Sequence, residues 1–307
     1  MISHEACLEH LTPSGHPECP ERLSAVLAAL EAPEFAGAAR LEAPRAERSD
    51  LLRAHTERYL ASLEAAIPET GWSRLDPDTW ASPRSWEAAL RAAGGAVAAT
   101  DIVLTGRHRR AFVAVRPPGH HAERARAMGF CLLSNVAIAA LHALEVHDLS
   151  RVAVVDFDVH HGNGTQDILW DEARALYIST HQFPLYPGTG ARHERGAHGN
   201  ILNIPLEAGT DGRAYDAVLE DEILPRLDAF RPELLFVSAG FDAHRDDPLA
   251  GLMLTEDDFA RITRRLVAAA TRHAGGRVVS VLEGGYDLHA LAASAAAHVR
   301  ELMEPTR

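Results

Sequence analysis

The sequence predicts an α/β fold, a mainly parallel β-sheet covered by helices, on three observations. Short apolar runs at residues 111–115 (AFVAV), 152–155 (VAVV), 175–178 (ALYI), 234–237 (LLFV) and 278–282 (VVSVL) alternate with longer stretches of helical periodicity. The runs are almost unbroken in apolar residues, the pattern of strands buried on both faces, which parallel sheets require. Four of them also lead directly into polar clusters: RPPGHHAE, DFDVHHGNG, SAGFDAH and EGGYD. In an open parallel sheet the strand C-termini share one edge, and ligands bind there.

Taken in order, the first 80 residues are irregular and mostly helical, with the loop SGHPECPERL feeding a helix at 21–30. A second helix follows Asn135. A third starts near Ala214 and carries Pro225, so it is expected to kink or to form two pieces. The clearest is TEDDFARITRRLVAAATRHAGG. Thr255 caps it, acidic residues fill its first turn, and Phe259, Ile262, Leu266, Val267 and Ala270 form one face. Gly275 or Gly276 ends it. No repeat, low-complexity segment or linker interrupts the chain, so one domain over 1–307 is expected.

Composition narrows the function. Hydrophobic residues make up 47% and charged residues 24%, as in soluble globular proteins. A net charge of −13 argues against nucleic acid as a partner, since such binding needs a basic face. All 30 basic residues are arginine, which fits genomic base composition as well as any function. Cys7, Cys19 and Cys131 are odd in number and lack Cys-x-x-Cys spacing, which suggests reduced thiols. No leader-like start and no membrane-length apolar run is evident, so a cytoplasmic protein without a membrane partner is expected.

The polar clusters bring His120, His121, Asp156, Asp158, His160, Asp242 and Tyr286 to one sheet edge. If the strand stays extended past Val155, Asp156, Asp158 and His160 share a face. Two carboxylates and an imidazole together are costly unless a positive charge lies between them. Asp158 and His160, joined by Asp242 from a neighbouring strand, form an Asp–His–Asp set suited to one zinc ion per chain with open positions for water and substrate. Such an ion lowers the pKa of its water towards ~7 and polarises a carbonyl. His120 and His121 offer acid and base, and Tyr286 on a Gly-Gly turn offers an oxyanion donor. The sum is amide or ester hydrolysis.

RPPGHHA, GFC, DFDVHHGNGTQ, SAGFDAH and LEGGYDL together resemble the zinc-dependent histone deacetylase superfamily, and GHPECPERL resembles its class II branch with the bacterial deacetylase-like amidohydrolases. The resemblance spans about residues 14 to 290. It implies the arginase–deacetylase fold, with a mainly parallel sheet of about eight strands between helices. By motif match it makes Asp158, His160 and Asp242 the zinc ligands, His120 and His121 the acid–base pair, and Tyr286 the carbonyl-polarising residue. Asp156 would orient His120, and Asn163 would partner His121 where many relatives have aspartate. A structural potassium ion would sit on Asp156, Asp158, His160, Ser179 and Thr180, partly through backbone carbonyls. Phe130 and Tyr186 would wall an acyl-lysine tunnel, with His16 at its mouth and Asp78 or Ser85 on the rim.

For substrate, the resemblance implies acylated lysine in a protein or peptide, or an acylated polyamine. Relatives that prefer polyamines carry an acidic residue after the Asp-Pro that follows the metal-binding aspartate, and here that position is Leu249. An apolar residue there favours acyl-lysine. A non-enzymatic acyl binder is set aside because the ligands and Tyr286 are all present. A two-manganese, arginase-like centre would need further bridging carboxylates. His4, His10, His55, His193, His244 and His273 read as surface or core histidines, and Cys131 as a small buried residue.

Overall fold

The computed structural model describes residues 1–304; the last three residues of the expected 1–307 domain lie outside the described residues. The strands are β1 (Ile2–Ser3), β2 (Leu41–Glu42), β3 (Ser73–Arg74), β4 (Trp80–Ala81), β5 (Arg110–Val113), β6 (Val152–Asp156), β7 (Ala175–Gln182), β8 (Ile201–Leu206), β9 (Leu234–Ala239) and β10 (Val278–Leu282). Eight of them form one sheet in the order β2-β1-β5-β10-β9-β6-β7-β8, with every neighbouring pair parallel. β3 and β4 make a separate antiparallel ribbon. All five apolar runs are strands. β6, β9 and β10 are buried along their whole length, as strands with both faces covered must be.

Three sheet strands were not visible as apolar runs. β1 and β2 have two residues each, too few for a period. β8 carries Asn203 and Pro205, which read as breakers; it is an edge strand paired only with β7, and there a missing N–H is tolerated.

The helices are α1 (Pro20–Ala29), α2 (Arg48–Ala54), α3 (Glu57–Ala65), α4 (Ser85–Leu104), α5 (Asn135–Glu145), α6 (Asn163–Leu169), α7 (Gly212–Val218), α8 (Leu224–Phe230), α9 (Glu256–His273) and α10 (Leu288–Met303). In α9 the Thr255 hydroxyl and N–H both donate to Asp258, at 2.8 and 2.7 Å, closing a capping box. The helix expected to break at Pro225 does so by an adjustment: a π turn, Leu219–Ile223, joins α7 to α8. Widening the turn before the proline absorbs the missing donor without ending the helix. α4 packs on α5, and α9 on α10, which in turn packs on α1.

Candidate active site

The strand C-termini converge as the clusters predicted, but the chain does not stay extended. β6 stops at Asp156 and residues 158–160 bend. Asp156 Oδ1 accepts the Asp158 N–H at 3.1 Å, and Asp158 Oδ1 accepts the His160 N–H at 2.9 Å. These two successive aspartate turns, not a shared strand face, make Asp158 and His160 neighbours. The extended run expected past Val155 does not form, and the aspartate turns replace it.

His160 Nδ1 lies 3.2 Å from Asp158 Oδ1 and 3.0 Å from Asp242 Oδ2, and the three ligand atoms fall within 4.8 Å of one another. Each carboxylate spends its other oxygen on backbone: Asp158 Oδ2 accepts the Gly284 N–H at 2.8 Å, and Asp242 Oδ1 accepts the Val159 N–H at 2.9 Å. A Cβ at Gly284 would overlap both carboxylates, so only glycine lets that backbone approach. Burial and the facing Asp158 push Asp242 up to about 7. Burial pulls the His160 imidazole down, but Asp158 and Asp242 outweigh it and carry it up to about 10. The cluster therefore demands positive charge at its centre. One nitrogen and two carboxylate oxygens, fixed from behind, fit a divalent ion such as zinc and leave positions open.

The histidine pair is differentiated by its partners. His120 Nδ1 is 3.0 Å from Asp156 Oδ2, which also accepts the Tyr177 hydroxyl at 2.9 Å. His121 Nδ1 is 2.8 Å from Asn163 Oδ1. Burial disfavours the charged form of both. At His120 the Asp158 and Asp156 carboxylates outweigh it and hold the imidazole well above its ordinary value. At His121 burial is reinforced by His120 and His160, which holds it well below. The two neighbouring rings are thus biased in opposite directions. The loop carrying them is held by Glu283, whose Oε2 accepts the N–H groups of Gly119 at 2.7 Å and His120 at 3.1 Å.

Tyr286 is positioned from two sides. Its N–H donates to Asp247 Oδ2 at 2.7 Å, and the Arg22 guanidinium sits over its ring, 4.8 Å from the centroid. Arg22 Nε donates to the Gly285 carbonyl at 2.6 Å and Nη1 to Glu18 at 3.0 Å; Arg116, also fully buried, clamps the same Glu18. Burial outweighs the pull of Arg22 and keeps the Tyr286 hydroxyl well above its ordinary value, so it stays a donor. Glu18, Arg22, Arg116, Asp247, Glu283 and Tyr177 were given no role from sequence. Arg116 and Glu283 directly follow apolar strand runs, and a charged residue at that place was the available signal; Glu18, Arg22 and Asp247 carried none.

At the mouth, Phe130 packs edge-on against Tyr286 (5.8 Å) and His16 (4.8 Å), while Tyr186 packs against His121 (5.2 Å) and His160 (6.3 Å). Phe130 has a φ of 69°, unusual for a bulky residue, and its N–H is tied to Thr79 Oγ1 at 3.0 Å. His16 Nε2 is 3.0 Å from the Asp78 carbonyl, which fixes the partly buried Asp78 beside the mouth. Burial and Asp76 push the Asp78 carboxyl up to about 6. Ser85 is a correction: it is fully buried on His10 at 2.6 Å and cannot reach a ligand at the rim. Leu249 is half-buried, its N–H on Asp247. Ser179 Oγ is 2.9 Å from His181 Nδ1 and Thr180 Oγ1 is 2.7 Å from the Tyr215 hydroxyl, so both side-chain oxygens are already engaged. His244 and Cys131 are buried, as expected.

A parallel sheet with a carboxylate–imidazole cluster, a split histidine pair and an oriented tyrosine at its C-terminal edge defines a hydrolase of the arginase–deacetylase fold. The histone deacetylase domain matches residues 16–302, and the chain belongs to that family. It is 44% identical over 300 residues to an uncharacterised protein of Synechocystis, covering 96% of each. It is 42% identical over 278 residues to a histone deacetylase-like amidohydrolase of Pseudomonas aeruginosa, covering 89% of this chain and 73% of that protein. The crystal structure of the HDA15 HD domain superposes with a TM-score of 0.92 at 36% identity, covering 99% of this chain and 91% of that one. No helix among the described residues is long and apolar enough to cross a membrane.

Proposed function

We propose that this chain is a single-domain, zinc-dependent deacylase that removes acetyl or longer acyl groups from lysine side chains of proteins or peptides. The observation that carries this reading is the Asp158–His160–Asp242 cluster, whose three donor atoms face one another within 4.8 Å beside His121 and Tyr186. Asp158, His160 and Asp242 would hold zinc, which when bound polarises the amide carbonyl and supplies hydroxide at neutral pH.

The rest is done by side chains. Asn163 Oδ1 accepts the His121 Nδ1–H and leaves the Nε2 lone pair towards the pocket, so His121 takes the proton from the attacking water. His120, held on Asp156, stabilises the negative charge that grows as the carbonyl is attacked, and the proton taken by His121 is returned to the leaving amine. Tyr286 donates its hydroxyl to the same oxyanion. Phe130 and Tyr186 hold the aliphatic stem of lysine. Asp78, fixed by His16, accepts from the peptide backbone at the rim. A potassium ion on Asp156, Asp158, His160, Ser179 and Thr180, several of them through backbone carbonyls, would brace the bend below.

The second reading, an acetylpolyamine amidohydrolase, rests on the same chemistry. It is disfavoured by Leu249, which offers a second ammonium no carboxylate and costs something to desolvate it. A turnover panel on the zinc-loaded protein separates them. Acetyl-lysine peptides, longer acyl-lysines, acetylputrescine and acetylspermidine are compared by kcat/KM. We expect peptides to exceed polyamines by roughly 10-fold, or about 1.4 kcal/mol. A preference for the polyamines overturns the lysine reading and leaves the hydrolytic one intact. The protein is expected to act in the cytoplasm.

A further inference from the structure

Asp101, His142 and His147 form a second cluster of metal-ligating groups, away from the catalytic edge. Asp101 lies in the last turn of α4, His142 in the last turn of α5, and His147 two residues past the end of α5. α5 begins beside the catalytic loop, where Asn135 Nδ2 donates to the Pro117 carbonyl at 3.2 Å, and runs back along the sheet. Its 11 residues span roughly 16 Å, so its last turn sits at the opposite edge.

We propose that Asp101, His142 and His147 bind a second divalent transition-metal ion, with zinc as the reference. His142 Nε2 and His147 Nε2 both point at the same oxygen, Asp101 Oδ1, at 2.8 and 2.6 Å. The three ligand atoms lie within 4.8 Å, the same span as in the catalytic cluster. Donors bound at about 2.0–2.1 Å in a tetrahedron sit roughly 3.3 Å apart, so a small side-chain rotation opens the triangle enough for zinc.

The second ring nitrogen of His142 supplies an independent observation. His142 is buried, and its Nδ1 has no hydrogen-bond partner yet lies 3.5 Å from Asp50 Oδ1. With the ring proton on Nε2, a buried lone pair on Nδ1 would face that carboxylate at a cost. A metal on Nε2 moves the proton to Nδ1, and Nδ1–H then points at Asp50. That is the carboxylate–histidine–metal arrangement which fixes a ligating ring. Asp50 is itself held, by Arg53 Nη1 at 2.9 Å and by the Glu47 N–H at 3.1 Å.

Position favours a cation as well. The last turns of α4 and α5 present the negative ends of two helix dipoles to the cluster. Asp101 and His147 have side chains 48% and 24% exposed, so an ion can enter and water can fill the remaining positions. Bound there, the ion ties the end of α4 to the α5–β6 connection and acts as a structural clip. It takes no part in hydrolysis, and the proposal does not rest on the catalytic reading.

Metal-stripped protein titrated with zinc, with stoichiometry from equilibrium dialysis and elemental analysis, tests the site directly. Wild type is expected to bind two equivalents. His147→Ala and Asp101→Asn should each bind one, with unchanged turnover at one equivalent, and Asp242→Ala should bind only at the new site. The second equivalent should raise the Tm of wild type and not that of His147→Ala. The catalytic equivalent retained by each variant reports that it is folded. His147→Ala or Asp101→Asn binding as many equivalents as wild type overturns the proposal, whereas wild type binding one equivalent that both variants lose fails the catalytic reading alone.

Discussion

The guanidinium of Arg22 lies 4.8 Å from the ring centroid of Tyr286 and donates 2.6 Å to the carbonyl of Gly285, the residue before it. The first helix of the chain thus aims a side chain near its last helix. Arg22→Lys keeps a positive charge on Glu18 but loses the planar fork that reaches both the loop and the carboxylate. Turnover should fall roughly 10-fold or more with KM little changed and zinc still bound, because the loss is one of orientation. Steady-state kinetics with metal analysis checks this. Arg22→Met, which leaves Glu18 only Arg116 as a counter-ion, should in addition cost up to about 3 kcal/mol in denaturant unfolding.

Tyr286→Phe removes one oxyanion donor and leaves the metal cluster and the Asp247 contact, which is made by backbone, in place. A loss of about 10²–10³ in kcat is expected. A hydroxamate should still bind, since it needs no oxyanion. Near wild-type turnover would remove Tyr286 from the mechanism.

Leu249→Glu tests the substrate argument at the rim. The added carboxylate should raise kcat/KM for acetylspermidine relative to an acetyl-lysine peptide by roughly 10-fold. The gain should shrink at high salt, because salt screens a charge at this half-buried position. An unchanged ratio between 50 and 500 mM salt would show that this position does not face the substrate tail.

His298 predicts an acid limb of stability that has nothing to do with catalysis. It is fully buried between α10 and the sheet, with Thr263 at 2.6 Å and Ser280 at 2.8 Å, and burial pulls its imidazole down to about 3. The unfolded state binds this proton first, so the stabilisation is complete above the ordinary value near 6.5 and is lost as pH falls towards 3. The slope is on the order of 1.4 kcal/mol per pH unit within that window. His298→Asn should make the fall of the urea-unfolding midpoint across pH 4–6 shallower than in wild type, the buried His55, His161 and His181 supplying the remainder.

What the sequence disclosed and what it hid follow one physical division. Apolar runs reveal strands buried on both faces, so β6, β9 and β10 were legible, while the two-residue β1 and β2 carry no period and Pro205 disguised β8. The candidate ligand residues stood out because ionisable groups at strand ends are expensive without a purpose. The residues that aim them did not. Arg22, Glu283 and Asp247 act through backbone contacts across long separations in sequence, and no local spacing records a hydrogen bond from Arg22 to Gly285. The bend at 158–160 shows the same limit, since alternation assumed an extended chain where two aspartates had closed turns.

Hydrolysis is proposed to depend on a zinc ion held by Asp158, His160 and Asp242. The most direct test of this dependence measures acetate release from an acetyl-lysine peptide by protein stripped with a chelator and then titrated with zinc. No turnover is expected in the stripped protein, recovery as zinc is added, and no recovery in Asp242→Ala at any zinc concentration. Full turnover in the stripped protein, or in zinc-loaded Asp242→Ala, would contradict that dependence.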